Sequence, residues 1–331
     1  MIAVEISSFG SPDVLKPVER PKPVPKENEV IIRVDAAGVA RADALQRQGK
    51  YPPPPGASDI PGLDVAGRIE SVGNGVSRWK SSDEVCAILT GGGYAEFCVA
   101  PAVQVLPIPA GWSAVEAASL PENLFTVYDN LISRAGLKSG ETVLIHGGTS
   151  GIGSTAIMLS RAWGAIPIAT AGTAEKCEAC LHFGASHAID YKHLDFAVEV
   201  KRITGGRGVD VVLDLVGGSY LEKNLDSLAL EGRLSIVATQ GGRTGQLDIG
   251  KLMAKRGRIL GSTMRARTAE EKGDIAQRLL RDVWPMLPRK EFIRPIIDST
   301  FRLTDARLAH ERLESGAHIG KIVLVTATMC T

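Results

Sequence analysis

The chain has 331 residues, of which 44% are hydrophobic and 23% are charged, a composition typical of a soluble globular protein of about two domains. Its 38 basic and 37 acidic side chains nearly cancel, which argues against nucleic acid or an anionic membrane as a partner. No stretch approaches the roughly 18 apolar residues of a spanning helix, and the N-terminus alternates like a strand rather than a signal peptide, so we expect a cytoplasmic protein.

The part of the chain before residue 142 has the pattern of a mostly β domain with short, irregular strands. Residues 30–34 and 65–72 predict strands, and proline and glycine interrupt the connections between them. The run YPPPPG at residues 51–56 predicts a stiff surface loop, because proline fits neither a regular helix nor a central strand. Three glycines at residues 91–93 predict a tight turn into a strand that ends near Val99.

Residues 142–153 read TVLIHGGTSGIG, a short apolar strand that leads into a glycine-rich turn. We expect a helix to begin near Ser154. Small residues let the backbone approach a pyrophosphate closely, and the N–H groups at the helix start point at its negative charge. This turn predicts a dinucleotide-binding site formed by Gly148, Thr149, Ser150, Gly151 and Ile152.

The residues that follow the second strand of this region indicate which dinucleotide binds. A site for NAD places an acidic residue on the adenosine ribose about 20 residues after the glycine turn. Here that place reads AGTAEK at residues 171–176. The small residues Gly172 and Thr173 and the cationic Lys176 favour a 2′-phosphate, so the expected cofactor is NADPH.

Alternating apolar strands and helical patterns extend from the glycine turn to residue 262. The helices are predicted at residues 154–163, 175–183, 196–204 and 220–230, and the further strands at 166–170, 186–190, 209–216, 233–238 and 258–262. With the strand before the turn, this makes six strands and predicts an α/β fold with a doubly wound parallel sheet.

The remaining segments have no place in that sheet. A helical pattern at residues 270–286 and a strand at 321–326 follow its last strand. We therefore expect the chain to return to the first domain. The predicted domains are a split β domain at 1–122 and 264–331 and a nucleotide-binding domain at 123–263.

Five cysteines are few for this length and are unevenly placed, which argues against a disulfide framework and fits a reducing compartment; they are Cys86, Cys98, Cys177, Cys180 and Cys330. Cys177 and Cys180 form a CxxC, but both fall within a predicted helix, past its first turn. A redox pair normally lies at a helix N-terminus, where the dipole lowers the thiol pKa. We interpret this pair as structural.

Several motifs in fixed order resemble one enzyme family. They are ADALQRQGKYPPPPGAS at 42–58, GLDVAG at 62–67, GGGYAEF at 91–97, HGGTSGIG at 146–153, GGSYLEKN at 217–224 and GKIVL at 320–324. The chain resembles the zinc-free quinone oxidoreductase branch of the medium-chain dehydrogenase/reductases over essentially its full length. The p53-inducible NADPH:quinone oxidoreductase group is the most similar. The resemblance implies a Rossmann domain inserted in a GroES-like domain.

Two related families fit the sequence less well. Zinc-dependent members of the superfamily hold a catalytic metal with cysteine, histidine and a further ligand, whereas this chain has Val39 and Ala40 after Gly38, and Leu63 and Asp64 after Gly62. We therefore expect no metal, and a structural role for Asp64. The glycine turn is also similar to that of short-chain dehydrogenases, but it lies far from the N-terminus and no tyrosine is followed by a lysine four residues later.

The resemblance also implies roles for individual residues. Lys176, Tyr191 and Gly172 match positions that surround the 2′-phosphate, and Tyr51 matches a tyrosine near the nicotinamide that would donate a hydrogen bond to a quinone oxygen. Aromatic packing against the prolines is the alternative for Tyr51. Further cofactor contacts are implied at Thr126, Gly217, Gln240, Gly241 and Lys321. His146 is interpreted as a structural residue at the end of its strand.

The expected function is metal-free and flavin-free hydride transfer from NADPH to a quinone, in particular an ortho-quinone. Reduction of an enone or enoyl thioester is one alternative, and an NADPH-binding structural or regulatory protein with little turnover is another. The resemblance further implies a homodimer formed near residues 258–264. Ala40 replaces an asparagine that is common near the nicotinamide pocket of the family, which puts the family's substrate preference in doubt for this chain.

Overall fold

The computed structural model describes residues 1–289, 291 and 293–326, and Cys330 lies outside them. The chain divides into two compact units. Unit 1 comprises Met1–Phe125, Met264–Lys290 and Pro295–Thr331, and unit 2 comprises Thr126–Thr263 and Glu291–Arg294. The predicted domain bounds, 1–122 with 264–331 and 123–263, stay a prediction.

The described residues form strands and α-helices whose bounds are as follows. The strands are β1 Ile2–Ile6, β2 Leu15–Glu19, β3 Glu29–Val39, β4 Asp64–Val72, β5 Glu84–Ile88, β6 Phe97–Pro101, β7 Val105–Pro107, β8 Thr142–Ile145, β9 Ile166–Ala171, β10 His187–Asp190, β11 Val209–Asp214, β12 Leu228–Ile236, β13 Arg258–Gly261, β14 Ile297–Arg302 and β15 Lys321–Val325. The helices are α1 Arg41–Arg47, α2 Ala114–Ala117, α3 Pro121–Val127, α4 Gly151–Ala162, α5 Ala174–Phe183, α6 Phe196–Ile203, α7 Leu221–Ser227, α8 Ile249–Ala254, α9 Ala269–Asp282 and α10 Ala306–Glu314.

Unit 1 is built on a seven-stranded sheet with the order β14-β15-β3-β4-β5-β7, in which β6 also pairs with β3. The long strand β3 is central, because it pairs with β15, β4 and β6, and its side chains are buried at most positions. The predicted strands at residues 30–34 and 65–72 are confirmed as parts of β3 and β4. The C-terminal strand β15 runs antiparallel to β3, with Ile322 opposite Val39.

Unit 2 is a six-stranded parallel sheet with the order β10-β9-β8-β11-β12-β13. The predicted doubly wound α/β fold is confirmed, and the strand order reverses between β8 and β11, where such sheets bind their ligands. The apolar side chains of these strands pack against α6 and α7, in a core that includes Leu144, Ile168, Val212 and Leu234.

Two predicted helix bounds in unit 2 are wrong. Helix α4 begins at Gly151 instead of Ser154, because the Ser150 side chain caps it by accepting a hydrogen bond from the Gly153 N–H. Helix α7 ends at Ser227, not near Leu230, because Leu228 already pairs with Val209 in the parallel ladder between β12 and β11. The irregular start of β12 contains Glu231 in a left-handed conformation, with φ of 61°.

Among the residues that the structure describes, no helix combines the length and the apolar character needed to cross a membrane.

Candidate functional site

The glycine turn of unit 2, at residues 147–153, is stabilised by hydrogen bonds of Ser150. The Ser150 hydroxyl donates to the Gly147 carbonyl oxygen at 2.8 Å and accepts from the Gly153 N–H at 3.0 Å. The Gly148 N–H donates to the carbonyl oxygen of Thr170 at 2.9 Å, which ties the turn to the end of β9. The first N–H groups of a helix have no partner within that helix, so those of Gly151 and Ile152 are available to an anion at the start of α4.

Glycine is required at two positions of this turn by close packing. A Cβ atom at Gly153 would lie 2.1 Å from the Gly147 carbonyl oxygen, and one at Gly148 would lie 2.5 Å from the Cys180 sulfur. Both distances are far below van der Waals contact. The backbone of the turn is therefore packed without side chains, as the close approach of a pyrophosphate needs, and these residues fit a dinucleotide.

A series of buried hydrogen bonds begins at His146, the residue directly before the glycine turn. His146, at the end of β8, bonds through Nδ1 to Thr170 Oγ1 at 3.1 Å and through Nε2 to Asn224 Oδ1 at 2.7 Å. Asn224 donates in turn to Asp214 Oδ2 at 3.0 Å. Burial lowers the pKa of His146 to about 4, so the ring is neutral near pH 7, and both ring nitrogens are used inside the unit.

Asp214, the last residue of β11, connects these hydrogen bonds to a second turn, which follows that strand. Its carboxylate accepts hydrogen bonds from the Val216 N–H at 2.7 Å and from the Gly217 N–H at 3.1 Å. Burial raises the pKa of Asp214 to about 6, against the opposing effect of these N–H groups. Gly217 has a φ of 82°, and the Gly241 N–H donates to the Val216 carbonyl oxygen at 2.7 Å, so the predicted contacts at 217 and 241 lie side by side.

The residues expected to surround a 2′-phosphate also come together. Tyr191 lies across Gly172, since a Cβ atom at this glycine would be 2.9 Å from the tyrosine hydroxyl. Thr173 caps α5, and its side chain accepts a hydrogen bond from the Lys176 N–H at 3.2 Å. Lys176 therefore lies in the first turn of α5.

Thr126 is near the end of α3, and its carbonyl oxygen accepts a hydrogen bond from Asn130 Nδ2 at 2.9 Å. Asn130 belongs to a π-helical turn at Tyr128–Arg134, a feature that is frequent at functional sites. Its Oδ1 accepts from the hydroxyls of Ser235 at 3.3 Å and Ser262 at 2.8 Å. Gln240 is exposed after β12.

In unit 1, Lys321 is buried against two carboxylates. Its Nζ lies 2.6 Å from Asp64 Oδ2 and 3.5 Å from Glu122 Oε2. Burial alone would lower the pKa of Lys321, but the two carboxylates outweigh it and raise the pKa above its ordinary value. The lysine is charged at neutral pH, and its ammonium group neutralises Asp64. The interpretation of Asp64 as a buried, hydrogen-bonded carboxylate agrees with this geometry.

A second buried carboxylate, Asp43, lies at the start of α1. It accepts hydrogen bonds from the Ala40 N–H at 2.8 Å, the Gly62 N–H at 3.0 Å and the Tyr94 hydroxyl at 3.2 Å. Burial raises the pKa of Asp43 to about 6, although the two backbone N–H groups oppose it. The Tyr94 oxygen is also 3.1 Å from His310 Nε2. Asp43 thus fixes the backbone on both sides of the loop that carries Tyr51.

Tyr51 follows α1 on the predicted proline loop and is partly buried. The Arg265 guanidinium lies over its ring, 5.4 Å from the centroid. Burial raises the pKa of Tyr51; Arg265 opposes this rise and Glu122 adds to it. The hydroxyl therefore stays protonated near neutral pH and is able to donate a hydrogen bond.

Sequence reasoning missed several of these polar residues. Arg265 and Glu122 lie in segments without a glycine motif, and nothing in their local spacing distinguishes them from ordinary helix or loop charges. Asn224 carried a signal as the last residue of the GGSYLEKN motif at 217–224, whereas Asp214, three residues before that motif, carried none. Over the described ranges, no group of three or more histidine, cysteine, aspartate or glutamate residues has the arrangement of a metal site.

Two family models match the chain. Residues 26–110 match the alcohol dehydrogenase GroES-like domain, and residues 151–281 match the zinc-binding dehydrogenase family. The human protein named quinone oxidoreductase is 33% identical over 328 residues, which covers 98% of both chains. The chain belongs to the quinone oxidoreductase-like group of the medium-chain dehydrogenase/reductase superfamily.

Solved structures of this superfamily support the same assignment. The quinone oxidoreductase of Escherichia coli, which was solved in complex with NADPH, is 30% identical with a TM-score of 0.83, and the match covers 98% of this chain and 100% of that one. The enoyl reductase JamJ is 28% identical with a TM-score of 0.86 over 98% and 99% of the two chains. As a quinone oxidoreductase-like protein, the chain is an NAD(P)-dependent oxidoreductase with GroES-like and Rossmann domains.

Proposed function

We propose that this protein is an NADPH:quinone reductase that acts on ortho-quinones without metal or flavin. The observation that carries the choice of NADPH is the position of Tyr191 across Gly172, with Lys176 in the adjoining first turn of α5. A lysine supplies positive charge for a 2′-phosphate, and the tyrosine supplies a hydroxyl and an aromatic face. The similar Escherichia coli enzyme was solved with NADPH.

Except for Lys321, the proposed cofactor contacts all lie in unit 2. The pyrophosphate would be bound by backbone N–H groups of the turn, and the closely packed glycines leave room for it. The proposed contacts are Thr126, Gly148, Thr149, Ser150, Gly151, Ile152, Gly172, Thr173, Lys176, Tyr191, Gly217, Gln240, Gly241 and Lys321. Lys321 is the least direct of them, because its ammonium group already binds Asp64 and Glu122.

NADPH supplies a hydride, and with it two electrons, to the acceptor when it is bound. The chain's own contribution is to orient the acceptor and to stabilise negative charge on its oxygen. Tyr51 is the proposed donor, since its hydroxyl stays protonated and preorganised donors of this kind stabilise a developing oxyanion. The ion pair of Asp64 with Lys321 supports chemistry without a metal, because this carboxylate is already neutralised by a protein cation.

Membership of the p53-inducible group is part of this proposal. It rests on the shared loop RQGKYPPPPGAS at residues 47–58 and the segment GGSYLEKN at 217–224. Enoyl thioester reduction is the second candidate, because the enoyl reductase JamJ has the same fold over nearly the whole chain.

Steady-state oxidation of NADPH, with NADH in parallel, tests the proposal against ortho-quinones, para-quinones and enoyl thioesters. We expect turnover with ortho-quinones and a clear preference for NADPH. Turnover with enoyl thioesters alone would select the second candidate. Tight NADPH binding without turnover of any acceptor would instead indicate a binding or regulatory protein.

A further inference from the structure

Arg265 makes an unusual set of contacts at the point where the chain re-enters unit 1. Its Nη1 donates to the Tyr51 carbonyl oxygen at 3.1 Å, its Nε to the Thr90 carbonyl oxygen at 2.9 Å and its Nη2 to Gln46 Oε1 at 2.6 Å. The same guanidinium lies over the Tyr51 ring. One side chain therefore holds α1, the proline loop and the segment after β5 together around Tyr51.

A second buried cation lies directly behind Arg265. Lys272, in α9, is 0% exposed, and Arg265 is only 4% exposed. The Lys272 Nζ donates to Thr90 Oγ1 and to the Arg265 carbonyl oxygen, both at 3.0 Å. All the hydrogen-bond acceptors of the two cations are uncharged oxygens, and within the described residues no carboxylate lies at ion-pair distance from either.

Burying a charge without an opposite charge beside it costs free energy. The positive charge of Arg265 acts on Tyr51, whose ring lies under the guanidinium, and on Lys272. The other charged groups that act on these three residues are Glu122 on Tyr51, Asp43 on Arg265, and Arg267 and Glu271 on Lys272. Burial, Arg265 and Arg267 lower the pKa of Lys272 to about 8, so Lys272 is mostly charged at neutral pH.

We propose that Arg265, with Lys272 behind it, is a positioning residue that fixes the Tyr51 loop and stabilises negative charge at the Tyr51 hydroxyl and at the acceptor oxygen bound to it. The inference rests on the proposed function, because it needs Tyr51 as the donor. In the step it assists, the Tyr51 O–H bond breaks as an O–H bond forms on the reduced acceptor. The phenolate then takes a proton from solvent.

The first test measures charge stabilisation without catalysis. 4-Nitrocatechol, a coloured analogue of a reduced ortho-quinone, is titrated in the presence of the enzyme, and its ionisation is followed by absorbance. We expect the bound phenol to ionise about one pH unit lower in the wild type than in Arg265→Gln, because a cation at this range favours the phenolate. Lys272→Gln should lose part of the shift while keeping a hydrogen-bond donor. An unperturbed ionisation in the wild type overturns the proposal.

The second test asks whether Arg265 acts through Tyr51. We expect Arg265→Gln to lower kcat with an ortho-quinone about tenfold, Arg265→Lys to recover part of the loss, and Arg265→Gln to add little in a Tyr51→Phe background. Arg281→Gln, in the helix α9 that also carries Lys272 but with a side chain that is 70% exposed, is the control and should match the wild type.

The outcomes separate this inference from the proposed function. An active Tyr51→Phe variant would remove Tyr51 from the proposed function itself. A strongly impaired Tyr51→Phe variant beside an unimpaired Arg265→Gln variant would overturn only the inference, as would losses that simply multiply in the double variant. If Arg265→Gln does not fold, as judged by its melting temperature, Lys272→Gln alone decides through the titration.

Discussion

Lys176 is the single residue on which the expected preference for NADPH over NADH chiefly rests. The sequence places it a fixed distance after the glycine turn, and the structure places it in the first turn of α5, in the segment that follows Gly172, the glycine over which the Tyr191 hydroxyl lies. Its neighbours Gly172 and Thr173 are too small to fill the space that a 2′-phosphate would need. The lysine is therefore the residue on which cofactor preference should depend.

We expect Lys176→Ala to lower the preference for NADPH over NADH by about tenfold or more, because a charge-assisted hydrogen bond contributes roughly 1.5–3 kcal/mol. The Kd values of both cofactors, measured by fluorescence titration, give the ratio. Lys201→Ala, which removes an exposed lysine of α6, is the matched control. An unchanged ratio in Lys176→Ala would show that another group selects the cofactor.

The element that organises unit 2 is the start of helix α4. The Ser150 cap, the packed glycines and the parallel strands β8 and β9 place the first N–H groups of the helix beside the switch point of the sheet. The glycine motif predicted this arrangement, since spacing within a short segment determines it. The helix start was placed three residues too late, because glycine is a poor helix former and the cap is a side-chain contact.

Gly153→Ala tests the packing of this element. The added methyl group would collide with the Gly147 carbonyl oxygen, and the turn would have to open, so we expect the affinity for NADPH to fall at least about tenfold, the equivalent of 1.4 kcal/mol. Calorimetric titration measures the affinity. The control is Gly261→Ala, in β13 of the same unit, where a Cβ atom meets no other atom within 4 Å. Equal affinities in the two variants would contradict the expected role of Gly153.

At the scale of the whole molecule, the edge of the unit 2 sheet formed by β13 is a candidate surface for pairing with a second chain. Strand β13 is the last in the sheet order, and the nearby side chains of Ile249 and Met253 are 64% and 72% exposed. An unpaired edge strand is a ready site for pairing with another chain. The homodimer implied by the family resemblance would use this edge.

Gly261→Lys should convert such a dimer to a monomer, because a charged side chain on an edge strand blocks pairing, while the open space at this position leaves the fold intact. Light scattering after size-exclusion chromatography measures the mass. Val198→Lys, at an exposed position of α6, is the control. A wild-type monomer, or a Gly261→Lys dimer, would exclude this edge as the interface.

The sequence by itself determined the fold class, the glycine turn and the candidate residues for the 2′-phosphate, because periodicity and motif spacing act within short segments. Only the tertiary structure showed that Lys321 neutralises Asp64, 257 residues away in the chain, and that Arg265 holds Tyr51, 214 residues away. Such contacts follow from how strands and helices pack, and local patterns do not encode them. In the sequence alone, nothing distinguishes these buried charged residues from ordinary surface residues.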